Sequence, residues 1–268
     1  MRTTAGIWWE STGAGEPVLL INGLGTASTS WFRLLPGLRG YRVITFDNRG
    51  VGRTGSSPEP FDLATMATDA VAVLDAADVD RAHILGLSMG GLIAQELALS
   101  HPGRASSLIL VSTHSGVPHL TVAASAVATT LKQIAGLPPA ERSQALAPIL
   151  YVDQTPAAER ARDDEIGDTI PTTPEGMRSQ LLAATPWDRH TDLHQLTVPT
   201  LVLHGREDRL VPLSAGETLA AAIPNADLVI IPNAGHRIFT DQTTPSTQAI
   251  TTFLHQVTQT RSPQRQDV

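Results

Sequence analysis

The chain has 268 residues, no cysteine and a formal net charge of −7. The mild acidity argues against a nucleic-acid or anionic-membrane surface, and the lack of thiols excludes disulfides, thiolate zinc sites and a cysteine nucleophile. Residues 1–10 lack the apolar core of a signal peptide and no apolar run reaches the length of a membrane span, so the expectation is a cytoplasmic, soluble protein.

In chain order, Ile7–Glu10 reads as a short edge strand. Val18–Ile21 is apolar on every side, the pattern of a central parallel strand covered on both faces; it ends in Asn22-Gly23-Leu24-Gly25. Thr29–Leu38 reads as a short helix and Arg42–Phe46 as the next strand. Asp62 opens a helix to about Ala77, with Leu63, Met66, Ala70, Val73 and Leu74 at helical spacing. Ala82–Leu85 is a buried strand, Leu92–Leu99 a helix, and Ser107–Val111 another buried strand. The alternation then stops. Residues 115–195 carry helical patterns and prolines, with helices expected at Thr121–Ala135, Pro139–Tyr151, Pro156–Asp168 and Pro174–Thr185. It resumes with the strand Thr200–Leu203, a helix at Ser214–Ala222, the strand Asp227–Ile231 and a last helix at about Pro245–Gln259; the polar end from Arg261 on is expected to fray.

Repeated strand–helix units imply a mostly parallel sheet with right-handed crossovers and helices on both faces. A stretch of 80 or so residues without strands is too long for a loop. It reads as a helical cap at 115–195, inserted into a core formed by 1–114 and 196–268 and sitting over the C-terminal strand ends, where open α/β sheets bind ligands.

Between the strand at 82–85 and its helix lies Gly86-Leu87-Ser88-Met89-Gly90, followed by Gly91. A serine flanked by glycines at a strand-to-helix turn is a nucleophile elbow. The helix beyond aims its free N–H groups and positive dipole end at the same point. A serine hydroxyl needs a base to take its proton, and that base is best held by a carboxylate. Asp208 follows the strand ending at Leu203, and His236 follows the strand ending at Ile231, both at the C-terminal edge. Bland alternatives stand beside each: Ser88 as a helix N-cap, Asp208 as a turn residue with Glu207 as its rival, and His236 as a surface-loop histidine. Gly50–Gly55 matches a dinucleotide fingerprint but runs into Ser56-Ser57-Pro58 rather than a helix, so it is read as a loop under the site. His83, Arg49 and Asp47 read as structural, and His190, His194 and His255 as surface residues.

The order Ser88, Asp208, His236 resembles the α/β-hydrolases, over almost the whole chain. Within them the chain resembles small capped esterases and lactonases: the 3-oxoadipate enol-lactonase, polyketide methylesterase and cofactor-free haloperoxidase group. The match rests on residues 22–25, Asp47-Asn48-Arg49-Gly50-Val51-Gly52-Arg53-Thr54, the Ser-Met-Gly-Gly elbow and the two late loops. The resemblance implies Ser88 as nucleophile, His236 as base then acid, Asp208 as its orienting partner, and an oxyanion hole from the backbone N–H groups of Leu24 and Met89. Many relatives have histidine where this chain has Asn22; because backbone groups form the hole, it should survive the change. Trp31, His114 and Trp187 are expected to touch substrate. The implied function is hydrolysis of a small-molecule carboxylic ester or lactone through an acyl-enzyme, with no metal and no cofactor. The alternatives are perhydrolysis, C–C bond hydrolysis or lyase-type chemistry by the same triad, and a non-enzymatic small-molecule receptor.

Overall fold

The computed structural model describes residues 2–57, 59–119, 134 and 137–261. Eight strands form one sheet: β1 (Arg2–Thr4), β2 (Ile7–Thr12), β3 (Pro17–Ile21), β4 (Arg42–Phe46), β5 (Ala82–Leu87), β6 (Ala105–Val111), β7 (Thr200–Gly205) and β8 (Ala226–Ile231), in the order β1-β2-β4-β3-β5-β6-β7-β8. From β4 to β8 all neighbours are parallel; β1 and β2 are antiparallel additions. The segment expected at the edge, Ile7–Glu10, is one strand in from it. Residues 2–4 turn back through Ala5 and Gly6, both at positive φ, and pair outside it.

The apolar run at 18–21 is buried on both faces, as its sequence demands. Leu19 and Ile21 point into one core with α1 (Leu63–Ala76) and α2 (Met89–Ser100). Val18 and Leu20 point into the other, with Trp31, Leu34 and the last helix. The alternation of the pleat thus splits one tetrapeptide between two cores. α1 starts where expected, because the Asp62 side chain accepts from Thr65 N at 2.8 Å and caps it. The helix expected at Thr29–Leu38 is two 3-10 turns, Ser28–Arg33 and Leu35–Leu38, which meet at Leu34, with Pro36 in the start of the second.

Between β6 and β7 lie α3 (Pro139–Leu150), α4 (Ala157–Thr169), α5 (Pro174–Ala184) and a 3-10 turn at His190–Gln195. Three of the four expected helices are therefore present to within about a residue. The fourth, Thr121–Ala135, lies outside the described residues apart from Ile134. The chain closes with α6 (Leu213–Ala222), a single turn α7 (Ile238–Asp241) and α8 (Thr243–Arg261). Among the described residues no helix is long and apolar enough to cross a membrane.

The helices between β6 and β7 are tied to the C-terminal edge of the sheet. Gln180 of α5 is fully buried; its Oε1 accepts from Gly25 N and its Nε2 donates to Arg49 O, both at 2.8 Å. Arg33 pairs with Asp163 and Glu159 of α4. At Gly176 a Cβ would sit 1.8 Å from Gly50 O, so only glycine lets α5 come this close to the loop after β4.

Candidate active site

Ser88 sits between β5 and α2 at φ 55°, ψ −121°. A β-carbon at this φ is disfavoured, and holding a non-glycine residue there costs about 1–3 kcal/mol. The surroundings impose it. Ser88 N donates to Val111 O at 2.9 Å, and Ser88 O accepts from Gly91 N at 2.8 Å and Thr113 Oγ1 at 2.7 Å. The flanking glycines have steric reasons: a Cβ on Gly86 would lie 2.2 Å from Gly90 O, and one on Gly90 would lie 2.1 Å from Ile21 O.

The loop after β7 carries Asp208, whose carboxylate is buried. Oδ1 accepts from the backbone N–H groups of Leu210 at 2.9 Å and Val211 at 2.8 Å, and Oδ2 accepts from His236 Nδ1 at 2.9 Å. A carboxylate oxygen only accepts, so Nδ1 carries the proton and Nε2 is left as the basic nitrogen. The loop after β8 that holds His236 is braced from several sides. Glu207 Oε2 accepts from Ala234 N at 3.0 Å, Asp241 Oδ2 accepts from Gly235 N at 2.7 Å, and Arg237 N donates to Leu150 O at 2.9 Å. Glu207, the rival acid, therefore supports the backbone of the histidine loop rather than the ring. Asp241 could not be picked out from sequence, because nothing in a short helix marks a carboxylate that reaches back six residues.

Behind Asp208 stands His204, fully buried, whose Nε2 donates to Val211 O at 2.9 Å and lies 3.7 Å from Asp208 Oδ2. Burial depresses its pKa, against the pull of the Asp208 charge, so this imidazole stays neutral.

Leu24 and Met89 offer their amides from the loop after β3 and the first turn of α2, and neither amide finds an acceptor among the described residues. The Leu24 loop is shaped by its neighbours. Asn22 Oδ1 accepts from Ser30 Oγ at 2.7 Å, and Asn22 O accepts from Asn48 Nδ2 at 3.0 Å. Asp47, fully buried after β4, takes Ser28 N at 2.8 Å and the Arg53 guanidinium at 2.7 Å. Burial alone would raise the Asp47 pKa; these hydrogen bonds and the Arg53 charge hold it below the ordinary carboxylate range. Arg53 lies over the Trp8 ring, and Arg49, just before the glycine-rich 50–55 loop, grips Asp69 at 2.6 and 2.9 Å.

A cavity of about 270 Å³ lies beneath the α3–α5 helices, with Leu24, Trp31, Leu87, Met177, His236 and Phe239 in its wall. Of the sequence-predicted site residues, Leu24, Trp31 and His236 line it; Ser88, one residue beyond Leu87, does not, and nor do Met89 and Asp208. Two expected substrate contacts lie elsewhere. Trp187 packs on the core formed with α1 and α2 and donates from Nε1 to the buried Glu96 Oε2 at 2.9 Å, because an indole N–H in an apolar core needs an acceptor. His114 accepts from Gly116 N at 3.0 Å through Nδ1, and its carbonyl accepts from Gln95. The structure thus joins His236 to Asp208, and among the described residues no hydrogen bond joins Ser88 Oγ to the ring.

The sequence profile of the family described as "alpha/beta hydrolase fold" matches residues 16–243. A relative named "Putative carbamate hydrolase RutD", from Variovorax paradoxus, is 31% identical over 250 residues, 91% of this chain and 93% of its own. Among solved structures, the "Putative non-heme bromoperoxidase BpoC" of Mycobacterium tuberculosis superimposes with a TM-score of 0.83 at 30% identity, covering 96% of this chain and 98% of its own. A thermophilic esterase from Thermogutta terrifontis does so with a TM-score of 0.82 at 30% identity, covering 94% and 93%.

Proposed function

The chain belongs to the alpha/beta hydrolase fold family, and from that premise we propose that it is a serine hydrolase of a small-molecule carboxylic ester or lactone. Ser88 Oγ attacks the carbonyl carbon and its proton passes to His236 Nε2. Asp208, bonded at Nδ1, stabilises the imidazolium. The tetrahedral oxyanion accepts from the Leu24 and Met89 amides, each donor contributing about 3 kcal/mol to the transition state. His236 returns the proton to the leaving alkoxide. Water, deprotonated by the same ring, then cleaves the acyl-enzyme and releases the acid. The helices between β6 and β7 act as the cap over the acyl pocket, and the cycle calls on no metal or organic cofactor.

The observation that supports this most is the strained Ser88 backbone on its glycine-lined turn, at the same sheet edge as the Asp208–His236 pair. Strain at a non-glycine residue persists only where the fold over-determines it, and such sites concentrate where function needs them. The test is Ser88→Ala. Turnover of p-nitrophenyl esters should fall at least about 1,000-fold, with an unchanged fold by circular dichroism; hydrolysis retained by this variant would refute the assignment.

A second reading keeps the three residues and changes the reaction to perhydrolysis or C–C bond hydrolysis. The names of the relatives favour it to that extent, since bromoperoxidase, carbamate hydrolase and esterase share one frame. Strong labelling of Ser88 by a fluorophosphonate probe with poor ester turnover would favour this reading. Ligand-driven stabilisation with neither labelling nor turnover would favour a receptor.

A further inference from the structure

The elbow carries one glycine more than its turn needs. Gly86 and Gly90 are crowded by backbone, but Gly91 is crowded by a side chain: a Cβ there would lie 2.5 Å from Thr113 Oγ1 and 2.6 Å from Thr113 Cβ. What the missing side chain admits is Thr113, fully buried, whose Oγ1 donates to Ser88 O at 2.7 Å. Gly91 N donates to the same oxygen at 2.8 Å. The chain reaches Thr113 from β6 through Ser112, a non-glycine residue at φ 47° whose N–H donates to Leu203 O at 2.9 Å. Strain of this kind persists only where the surroundings over-determine it. The end of β6 therefore holds the elbow on both sides, since Ser88 N donates to Val111 O at 2.9 Å.

The carbonyl that Thr113 grips belongs to the same peptide unit as the Met89 N–H. A trans peptide is planar, with its C=O and N–H opposed, so a bond that fixes Ser88 O also fixes the direction of Met89 N–H. Hydrogen bonds accepted by a carbonyl polarise the amide and strengthen its N–H as a donor. That N–H finds no acceptor among the described residues. Both effects act where charge develops in the transition state, and there a preoriented donor counts most.

We propose that Thr113 is a positioning residue for the oxyanion hole. Its hydroxyl sets the plane and the donor strength of the Ser88–Met89 peptide, and residue 91 is glycine to let it in. This deepens the hydrolase reading and rests on it for the nucleophile.

Thr113→Val keeps the shape and removes the hydroxyl; Thr113→Ser keeps the hydroxyl. Exhaustive titration with a fluorophosphonate counts the competent sites, so rates are compared per titrated serine. With p-nitrophenyl butyrate, kcat per site should fall roughly 3- to 30-fold in Thr113→Val, less than the loss of a whole oxyanion donor. KM should stay unchanged, because the contact acts only in the transition state. The inhibition constant of propylboronic acid, whose serine adduct is tetrahedral and anionic, should rise by a similar factor. Thr113→Ala, a second variant without the hydroxyl, should behave as the valine variant does, and Thr113→Ser should recover most of both losses. Wild-type kcat per site and wild-type boronate affinity in the valine and alanine variants overturn the proposal, even where the melting temperature has dropped. An equal loss in Thr113→Ser overturns it too. If the wild type titrates and turns over, these failures leave the hydrolase reading standing; a wild type that does neither removes that reading and the positioning role with it.

Discussion

The sheet and the helices that lie between β6 and β7 are held by different forces. The sheet is a hydrocarbon object: residues 18–21, 84–85 and 108–111 are buried on both faces and pack into two cores. The helical segment adds polar clamps to a smaller apolar contact made by Ala183 and Trp187. α4 buries no residue fully; it is held by Arg33 against Asp163 and Glu159, and α5 by Gln180 bridging Gly25 and Arg49. Hydrophobic packing is non-directional and tolerant of sequence, provided volume is kept. A clamp depends on particular atoms at particular distances. One frame can therefore hold its strand ends in place while the segment above them changes.

Three substitutions put this contrast to the test. The largest effect belongs to the sheet: Leu20→Ala, at a fully buried central position, should cost about 2–5 kcal/mol of unfolding free energy in a denaturant titration. A loss well under 1 kcal/mol would mean the core closes around the gap. Gln180→Ala in the helical segment should cost less, about 1–3 kcal/mol, because it orphans the Gly25 amide and the Arg49 carbonyl. It should also lower kcat/KM, since the Gly25 amide sits beside the proposed oxyanion donor. A stability loss without any change in kinetics would show that the clamp does not shape the Leu24 loop. The smallest effect is a pH dependence within the sheet half. His204 has a depressed pKa, so the unfolded chain binds its proton first as pH falls. Stability is therefore at its full value above the unfolded histidine pKa of about 6.5 and declines below it, with a slope of up to about 1.4 kcal/mol per pH unit. Stability curves of His204→Gln between pH 7 and 5 should be flatter than wild type; parallel curves would assign the decline to another group.

Much of this was legible in the chain itself, and the exceptions have causes. β3, the start of α1 and the helices at 139, 157 and 174 were visible because their signals are local: an all-apolar run, an Asp62 cap, a proline at a helix start. The edge strand was misplaced because Arg2–Thr4 is too short and polar to announce itself, and it exists only by pairing with β2. Trp187 was misassigned because an aromatic in a helical segment looks the same whether it faces a pocket or a core; its Glu96 acceptor lies 91 residues away.

What the sequence determined by itself was the alternation that dictates a doubly covered parallel sheet and the glycine-framed serine at one strand end. Both follow from nearest-neighbour sterics and from periodicity, which act within a few residues. Only the tertiary structure decided which acid holds His236 and which loop each clamp grips. Those are matters of distance between residues far apart in the chain, and no local pattern encodes a distance.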